Sequence, residues 1–125
     1  NTRLLNSITQ PHIIKLTKSI LMQMEQAGES IAVIDAPLLF ESGMNLICDR
    51  TIAVIASYDK RLKRILQRDS GLDEEVARAR MASQQSEDYY TSRVTVVLNS
   101  NGEIDVLREQ AEKLARSIRE WSHEK

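Results

Sequence analysis

The stretch Ile31–Glu41, reading I-A-V-I-D-A-P-L-L-F-E, constrains this chain more than any other. Its opening run of apolar residues, Ile31–Ile34, suits a strand buried on both faces, as in a parallel sheet covered by helices. Asp35 then falls at the carboxyl end of that strand, the edge of an α/β sheet where ligands bind. Two roles are open to it. It can hold a hydrated Mg²⁺ beside nucleotide phosphates, or it can simply cap the turn that Pro37 introduces.

Two further apolar runs, Thr51–Ala56 and Val94–Leu98, read as strands, and helical patterns separate them. Ile13, Leu16, Ile20, Leu21 and Met24 recur at helical spacing ahead of the first run, with Gly28 placed as a C-terminal cap. A turn or short helical segment is expected over Leu38–Asn45. Ser57 is placed to cap a helix in which Leu62, Ile65 and Leu66 make a narrow apolar stripe. Gly71 breaks that helix. Asp73 caps the next, with Glu74 and Glu75 in its first turn, where the helix dipole favours acids. This helix, from about residue 74 to 86, carries Val76, Met81 and small alanines, so it is expected to bury little and dock loosely. The loop Asn99–Gly102 leads to a last helix with Ile104, Leu107, Ala111, Leu114 and Ile118 on one face. The alternation predicts an α/β fold: a parallel sheet of three strands with flanking helices and right-handed crossovers.

A length of 125 residues suits one domain. The net charge of −1 gives no global field for nucleic acid or an anionic membrane, and an aromatic content of 4% is too low for an array of base-stacking platforms. No apolar run reaches membrane-spanning length. Cys48 is the single cysteine, so it forms no internal disulfide, and no histidine lies near it in sequence to activate it as a nucleophile. His12, beside Pro11, reads as a surface or capping residue, and His123 lies near the end of the chain. No histidines and cysteines show metal-ligand spacing. Trp121 is expected to cover the end of the core under the last helix, and Tyr89 and Tyr90 to pack beneath the weakly apolar helix.

Arg61, Arg64 and Arg68 are spaced three and four apart and share one helix face, and Arg78 and Arg80 follow across the Gly71 break. Guanidinium groups match phosphate oxygens with forked, charge-assisted hydrogen bonds, and a mobile arginine-bearing segment can close over a polyphosphate. The same row, with Lys63 and Asp69 beside it, is equally readable as a solvated helix face.

Taken together, these segments resemble a known family. D-A-P-L-L-F-E at 35–41, C-D at 48–49, R-L-K-R-I-L-Q-R-D at 61–69, R-M-A-S-Q at 80–84 and the opening L-N-S-I-T-Q-P-H-I at 5–13 look like the dephospho-CoA kinases. These are P-loop kinases that phosphorylate the ribose 3′-hydroxyl of dephospho-coenzyme A, with ATP and Mg²⁺, in the last step of coenzyme A biosynthesis. The resemblance runs through nearly the whole chain. It implies a P-loop kinase fold in which residues 1–29 end a helical substrate-side region, 30–69 and 94–125 form the nucleotide-kinase core, and 70–93 form a helical lid. It implies that Asp35 is catalytic and lies near Mg²⁺, through water, and that Pro37, Leu38, Leu39, Phe40 and Glu41 shape the dephospho-CoA side. Arg64 and Arg68 would be catalytic and face the nucleotide phosphates. Gln84 would bind nucleotide from the lid, and Ser100, Asn101 and Gly102 would approach the adenine. The implied partners are dephospho-CoA and ATP, with no nucleic acid and no membrane, in the cytoplasm.

The pattern departs from the family in places. The usual His-Pro stands here as Gln10-Pro11, the Ala-Asp before the last strand as Val94-Thr95, and the Asn of an Asn-x-Gly loop as Ser100, between Asn99 and Asn101. These bear on the adenine contacts and mark a divergent member. The phosphate-cradling G-x-x-x-x-G-K-[S/T] occurs nowhere, and the four glycines are isolated. The chain therefore reads as the C-terminal part of a kinase, inactive by itself. Its 31–34 strand would lack a central neighbour and pair by strand exchange in a homo-oligomer, or pair differently. Two rival readings stand beside this one: another nucleoside or nucleotide P-loop kinase, and a degenerate module that binds a nucleotide or a partner without catalysis.

Overall fold

The computed structural model describes residues 2–124, apart from the side chains of Thr2, Arg3 and Asn6. The chain order is helix α1 (Thr2–Gln26), a single 3₁₀ turn (Met44–Ile47), strand β1 (Ile52–Ile55), helices α2 (Tyr58–Arg68), α3 (Glu74–Ala82) and α4 (Glu87–Thr91), strand β2 (Val96–Asn99) and helix α5 (Ile104–His123). Two compact units divide it: Asn1–Asp49 with Glu120–Lys125, and Arg50–Arg119.

In the first unit, α1 ends where the sequence places its cap. Gly28 takes φ +87°, a left-handed conformation that glycine adopts without penalty. The Glu29 N–H then reaches back to the Met24 carbonyl and the Gly28 N–H to that of Glu25, both at 3.0 Å, which satisfies carbonyls the helix end would leave open. The apolar stripe of α1 is only partly covered. Leu21 and Met24 are half-buried, whereas Ile13, Leu16 and Ile20 stay exposed among the described residues.

The run Ile31–Ile34 is not a strand. Among the described residues it pairs with no neighbour, and the sheet has two strands rather than three. Strand structure is a property of a ladder rather than of a segment, so apolar, β-branched residues with no partner beside them remain merely extended. Val33 is 77% exposed as a result.

The second unit is built on the ladder. β1 and β2 run parallel, with Ile52 opposite Val96 and Ile55 opposite Asn99. Two threonines close its amino end: the Thr95 N–H donates to the Thr51 carbonyl at 2.9 Å, and the Thr51 N–H to the Thr95 hydroxyl at 3.1 Å. Ser57 caps α2 by accepting from the Lys60 N–H at 3.4 Å, and Asp73 caps α3 by accepting from the Glu75 N–H at 3.1 Å. Both caps satisfy first-turn donors that have no intrahelical partner. Gly71, at φ +89°, makes the reversal between the two helices.

Of the nine residues of α3, only Ala77 and Met81 are buried, and they are what it sets against α2. Leu62, Ala77 and Met81 form the buried cluster of this unit, with Ile65, Leu66 and Leu72 around it, and Ala77 is 0% exposed. A small side chain contributes little area, but it lets two helix backbones approach closely enough to exclude water from everything nearby. The helix expected over 74–86 is shorter than that, and a separate short helix follows it. The first stops at Ala82, and Ser86 starts α4 by accepting from the Tyr89 N–H at 3.2 Å. Tyr89 and Tyr90 then meet edge to face, 5.2 Å between centroids, and Arg93 lies 4.0 Å over the Tyr89 ring.

Met81→Ala removes the largest side chain that α3 inserts into this cluster. It is expected to cost about 2–4 kcal/mol of unfolding free energy, read as a lowered urea midpoint at unchanged slope. A loss no larger than that of an exposed substitution would show that α3 is not anchored this way.

Candidate functional site

The parallel ladder opens the carboxyl ends of both strands onto one edge, and the best-organised polar cluster of the chain sits there. Ser100, directly after β2, is the buried polar residue of the core. Its N–H and its hydroxyl both donate to the Ile55 carbonyl, at 2.8 and 2.9 Å, so the end of β2 is locked to the end of β1. Arg64 reaches from the middle of α2 and donates to the Ser100 carbonyl at 2.7 Å and to its hydroxyl at 3.2 Å. The Asn101 side-chain oxygen accepts from the Ser57 N–H at 2.6 Å, which ties the loop to the start of α2. The Asn99 side chain accepts from the Asn101 N–H at 2.8 Å and shapes the turn. On the far side, the Asn99 peptide N–H donates to Gln110 Oε1 and the Gln110 Nε2 donates to the Asn99 carbonyl, both at 3.0 Å. The loop 99–102 is thus held from β1, α2 and α5 at once. Gly102 is its exposed tip.

The arginine row divides its work. Arg61 donates to the Gln84 side chain at 2.9 Å, joining α2 to the end of α3, while its own Nε is buried without a partner. Arg64 is committed to Ser100. Arg68 is largely exposed and pairs with Asp69 at 3.3 Å, which Arg80 also approaches at 3.5 Å. Such exposed pairs are weak and readily exchanged for a better anion. Arg78 joins Glu74 at 2.9 Å and stands 5.7 Å over the Tyr58 ring.

In the first unit, residues 37–43 fold into a compact turn. The Ser42 N–H donates to the Leu38 carbonyl at 2.9 Å, Gly43 N–H to Phe40 at 3.0 Å and Asn45 N–H to Leu39 at 3.3 Å. Leu38, Leu39 and Phe40 are half-buried, and Pro37 and Glu41 exposed. Met44 is buried directly after the turn. An open groove of about 350 Å³ is lined by Ser7, Gln10, Pro11 and Ile14 of α1 with Glu41 and Ser42, so it gathers the Gln10-Pro11 step and the end of the 35–41 segment. Asp35 is exposed in the irregular segment before the turn.

Among the described residues, no three histidines, cysteines or carboxylates stand close enough to hold a metal by themselves. Nor is any described helix long and apolar enough to cross a membrane. His12 and His123 are exposed, and Trp121 is half-buried. Cys48 is half-buried and its thiol lies 3.7 Å from the Met44 carbonyl. Burial, and then the charge of Asp49, push its pKa up, which argues against a nucleophilic role.

The sequence of this chain matches known proteins over most of its length. The sequence model of the CoaE dephospho-CoA kinase family matches residues 1–105. The chain belongs to the dephospho-CoA kinase family. Proteins named dephospho-CoA kinase in Corynebacterium efficiens and Arabidopsis thaliana are each 36% identical over 94% of this chain, covering 58% and 50% of their own lengths. The one from Moorella thermoacetica is 40% identical over 84% of this chain and 50% of its own. The chain therefore spans about half the length of the curated relatives it matches. The crystal structure of TT1252 from Thermus thermophilus superposes with a TM-score of 0.57 at 25% identity, covering 94% of this chain and 67% of that one. Gln110 and the Asn99 peptide are the site groups that motif reading does not reach. Eleven residues separate them, and no short spacing announces a side chain that bonds a distant peptide.

The raised pKa of Cys48 has a direct readout. At about pH 7 its thiol should react with a disulfide reagent several-fold more slowly than a free cysteine, and the rate should still climb above about pH 9. Asp49→Asn should speed the reaction. A rate equal to that of free cysteine would contradict the burial.

Proposed function

We propose that the full-length protein is an ATP-dependent kinase that phosphorylates the ribose 3′-hydroxyl of dephospho-coenzyme A, in the cytoplasm, and that its fold is that of the P-loop kinases. The observation that carries this reading is the family match over residues 1–105, which takes in the 35–41 turn, the arginine helix and the 99–102 loop. The geometry supports it in one specific way: Arg64 of α2 and Ser57, which caps that helix, organise the loop after β2 into a single turn at the carboxyl edge of a parallel sheet, the usual place for a nucleotide.

In this reading the loop Ser100–Gly102 borders the adenine, and residues 70–93, with Gln84, act as the lid. Arg64 serves the nucleotide through the loop it holds. Arg68, one turn on, exchanges its exposed Asp69 for phosphate oxygens and stabilises charge as the phosphoryl group passes. Pro37–Glu41, at one end of the groove along α1, meets dephospho-CoA. Asp35 orients the attacking hydroxyl and receives its proton. A hydrated Mg²⁺ carried by ATP needs only one or two protein carboxylates, which suits the exposed Asp35, and when bound it would offset phosphate charge. No G-x-x-x-x-G-K-[S/T] lies within the 125 residues, so the 125-residue chain alone is expected to be inactive.

A coupled ADP-release assay tests the proposal. The full-length protein should turn over ATP only when dephospho-CoA is present, and nucleosides or nucleoside monophosphates accepted instead would overturn the substrate assignment. Asp35→Asn should lower kcat by roughly 10²-fold, and Arg68→Ala by at least about tenfold. Wild-type kinetics in either variant removes that residue from its role.

The unpaired run 31–34 supports a separate expectation for the isolated 125-residue chain, namely self-association through strand exchange. Sedimentation should show mass rising with concentration, and a monomer throughout would exclude it.

A further inference from the structure

We infer that Gln110, on the second turn of α5, is a positioning residue for nucleotide binding: its side-chain amide acts as a substitute strand that holds the 99–102 loop in its binding conformation. This rests on the reading of that loop as the adenine-side loop.

In a parallel ladder, alternate residues of a strand turn their peptide groups toward opposite neighbours. The Ser100 N–H faces β1, where it meets the Ile55 carbonyl at 2.8 Å. The Asn99 peptide groups therefore face away from β1, toward an edge where no third strand pairs among the described residues. Gln110 fills that gap. Its Oε1 accepts from the Asn99 N–H and its Nε2 donates to the Asn99 carbonyl, both at 3.0 Å. A primary amide alone among side chains of this length presents a donor and an acceptor side by side, so it satisfies both groups as a neighbouring strand would. Asn99 in turn accepts from the Asn101 N–H at 2.8 Å, and Asn101 accepts from the Ser57 N–H at 2.6 Å. Fixing the Asn99 peptide thus fixes the carboxamide of Asn101 and the tip at Gly102. Arg64 secures the opposite side through Ser100. Loosening either side lets the loop sample other turns, and ordering it again on binding weakens nucleotide affinity.

The sharpest variant is Gln110→Glu in the full-length protein. At neutral pH its carboxylate still accepts from the Asn99 N–H, but its second oxygen opposes the Asn99 carbonyl. When the carboxyl is protonated a donor returns. The expected result is an ATP affinity lowered about tenfold relative to wild type at neutral pH, with the deficit shrinking as the pH falls toward the ordinary glutamate range of about 4.3. Gln110→Leu should raise the KM for ATP by a similar factor at every pH, with kcat and the KM for dephospho-CoA changed less than about twofold. Amide hydrogen exchange gives the second readout. In wild type the Asn99 amide should be protected without nucleotide, and the leucine variant should expose it.

Unchanged exchange at Asn99 in the leucine variant overturns the clamp. A Gln110→Glu affinity that tracks wild type across pH overturns it as well, as does an equal loss of kcat and of both KM values with a lowered Tm, which marks a merely structural residue. If wild-type residues 99–102 gain no protection when ATP binds, the loop reading itself fails, and the inference falls with it. Protection by ATP that persists with full affinity in Gln110→Leu sinks the inference alone.

Discussion

Everything organised in the second unit depends on the parallel pairing of β1 with β2. Parallel strands end on the same side, so the start of α2 and the loop after β2 are delivered to one edge. With Ile55 opposite Asn99, the Ile55 carbonyl meets both the N–H and the hydroxyl of Ser100. A slip of one residue would turn Ser100 to the other face and remove it from the reach of Arg64. The register is set at the other end by Thr51 and Thr95, which exchange side-chain and backbone hydrogen bonds. A short ladder is marginal by itself, and here the polar clamps at both ends and the helices beside it hold it in place.

Helix α2 couples three tasks because its faces differ. Leu62, Ile65 and Leu66 face the α3 cluster. Arg64 grips the loop after β2, and Arg61 takes the Gln84 side chain past the end of α3. One rigid element therefore connects the proposed lid to the proposed nucleotide loop. The buried contact of Ala77 and Met81 makes α2 and α3 a single packed pair, so closure of the proposed lid would carry α2 with it or hinge elsewhere.

Local chemistry was legible in advance. Ser57 and Asp73 start helices, and Gly28 and Gly71 end segments at positive φ, because each acts on backbone groups within a few residues of itself. The apolar runs at 51–56 and 94–98 became paired strands. The run at 31–34 looked the same on composition but stayed unpaired, since alternation and β-branching say what a segment tolerates and not whether a neighbour is present. That α3 buries only Ala77 and Met81 follows from its scarcity of large apolar residues, whereas which element receives them is settled by the fold.

For the site, motif likeness located the segments that matter, the 35–41 turn, the arginine helix and the loop at 100–102. It did not say what each arginine holds. Arg61, Arg64 and Arg68 are equivalent as spacing on a helix, and only the position of the neighbouring loop makes Arg64 a peptide clamp while Arg68 remains at the surface. Gln110 is the clearest case: an ordinary helical glutamine in the chain, and a bidentate partner of the Asn99 peptide in space. Helix starts, helix ends and family membership are written in short stretches of residues, because their physics is local. Strand pairing and the assignment of polar side chains to distant peptides belong to the folded arrangement, because both depend on which unsatisfied groups are brought within about 3 Å of each other.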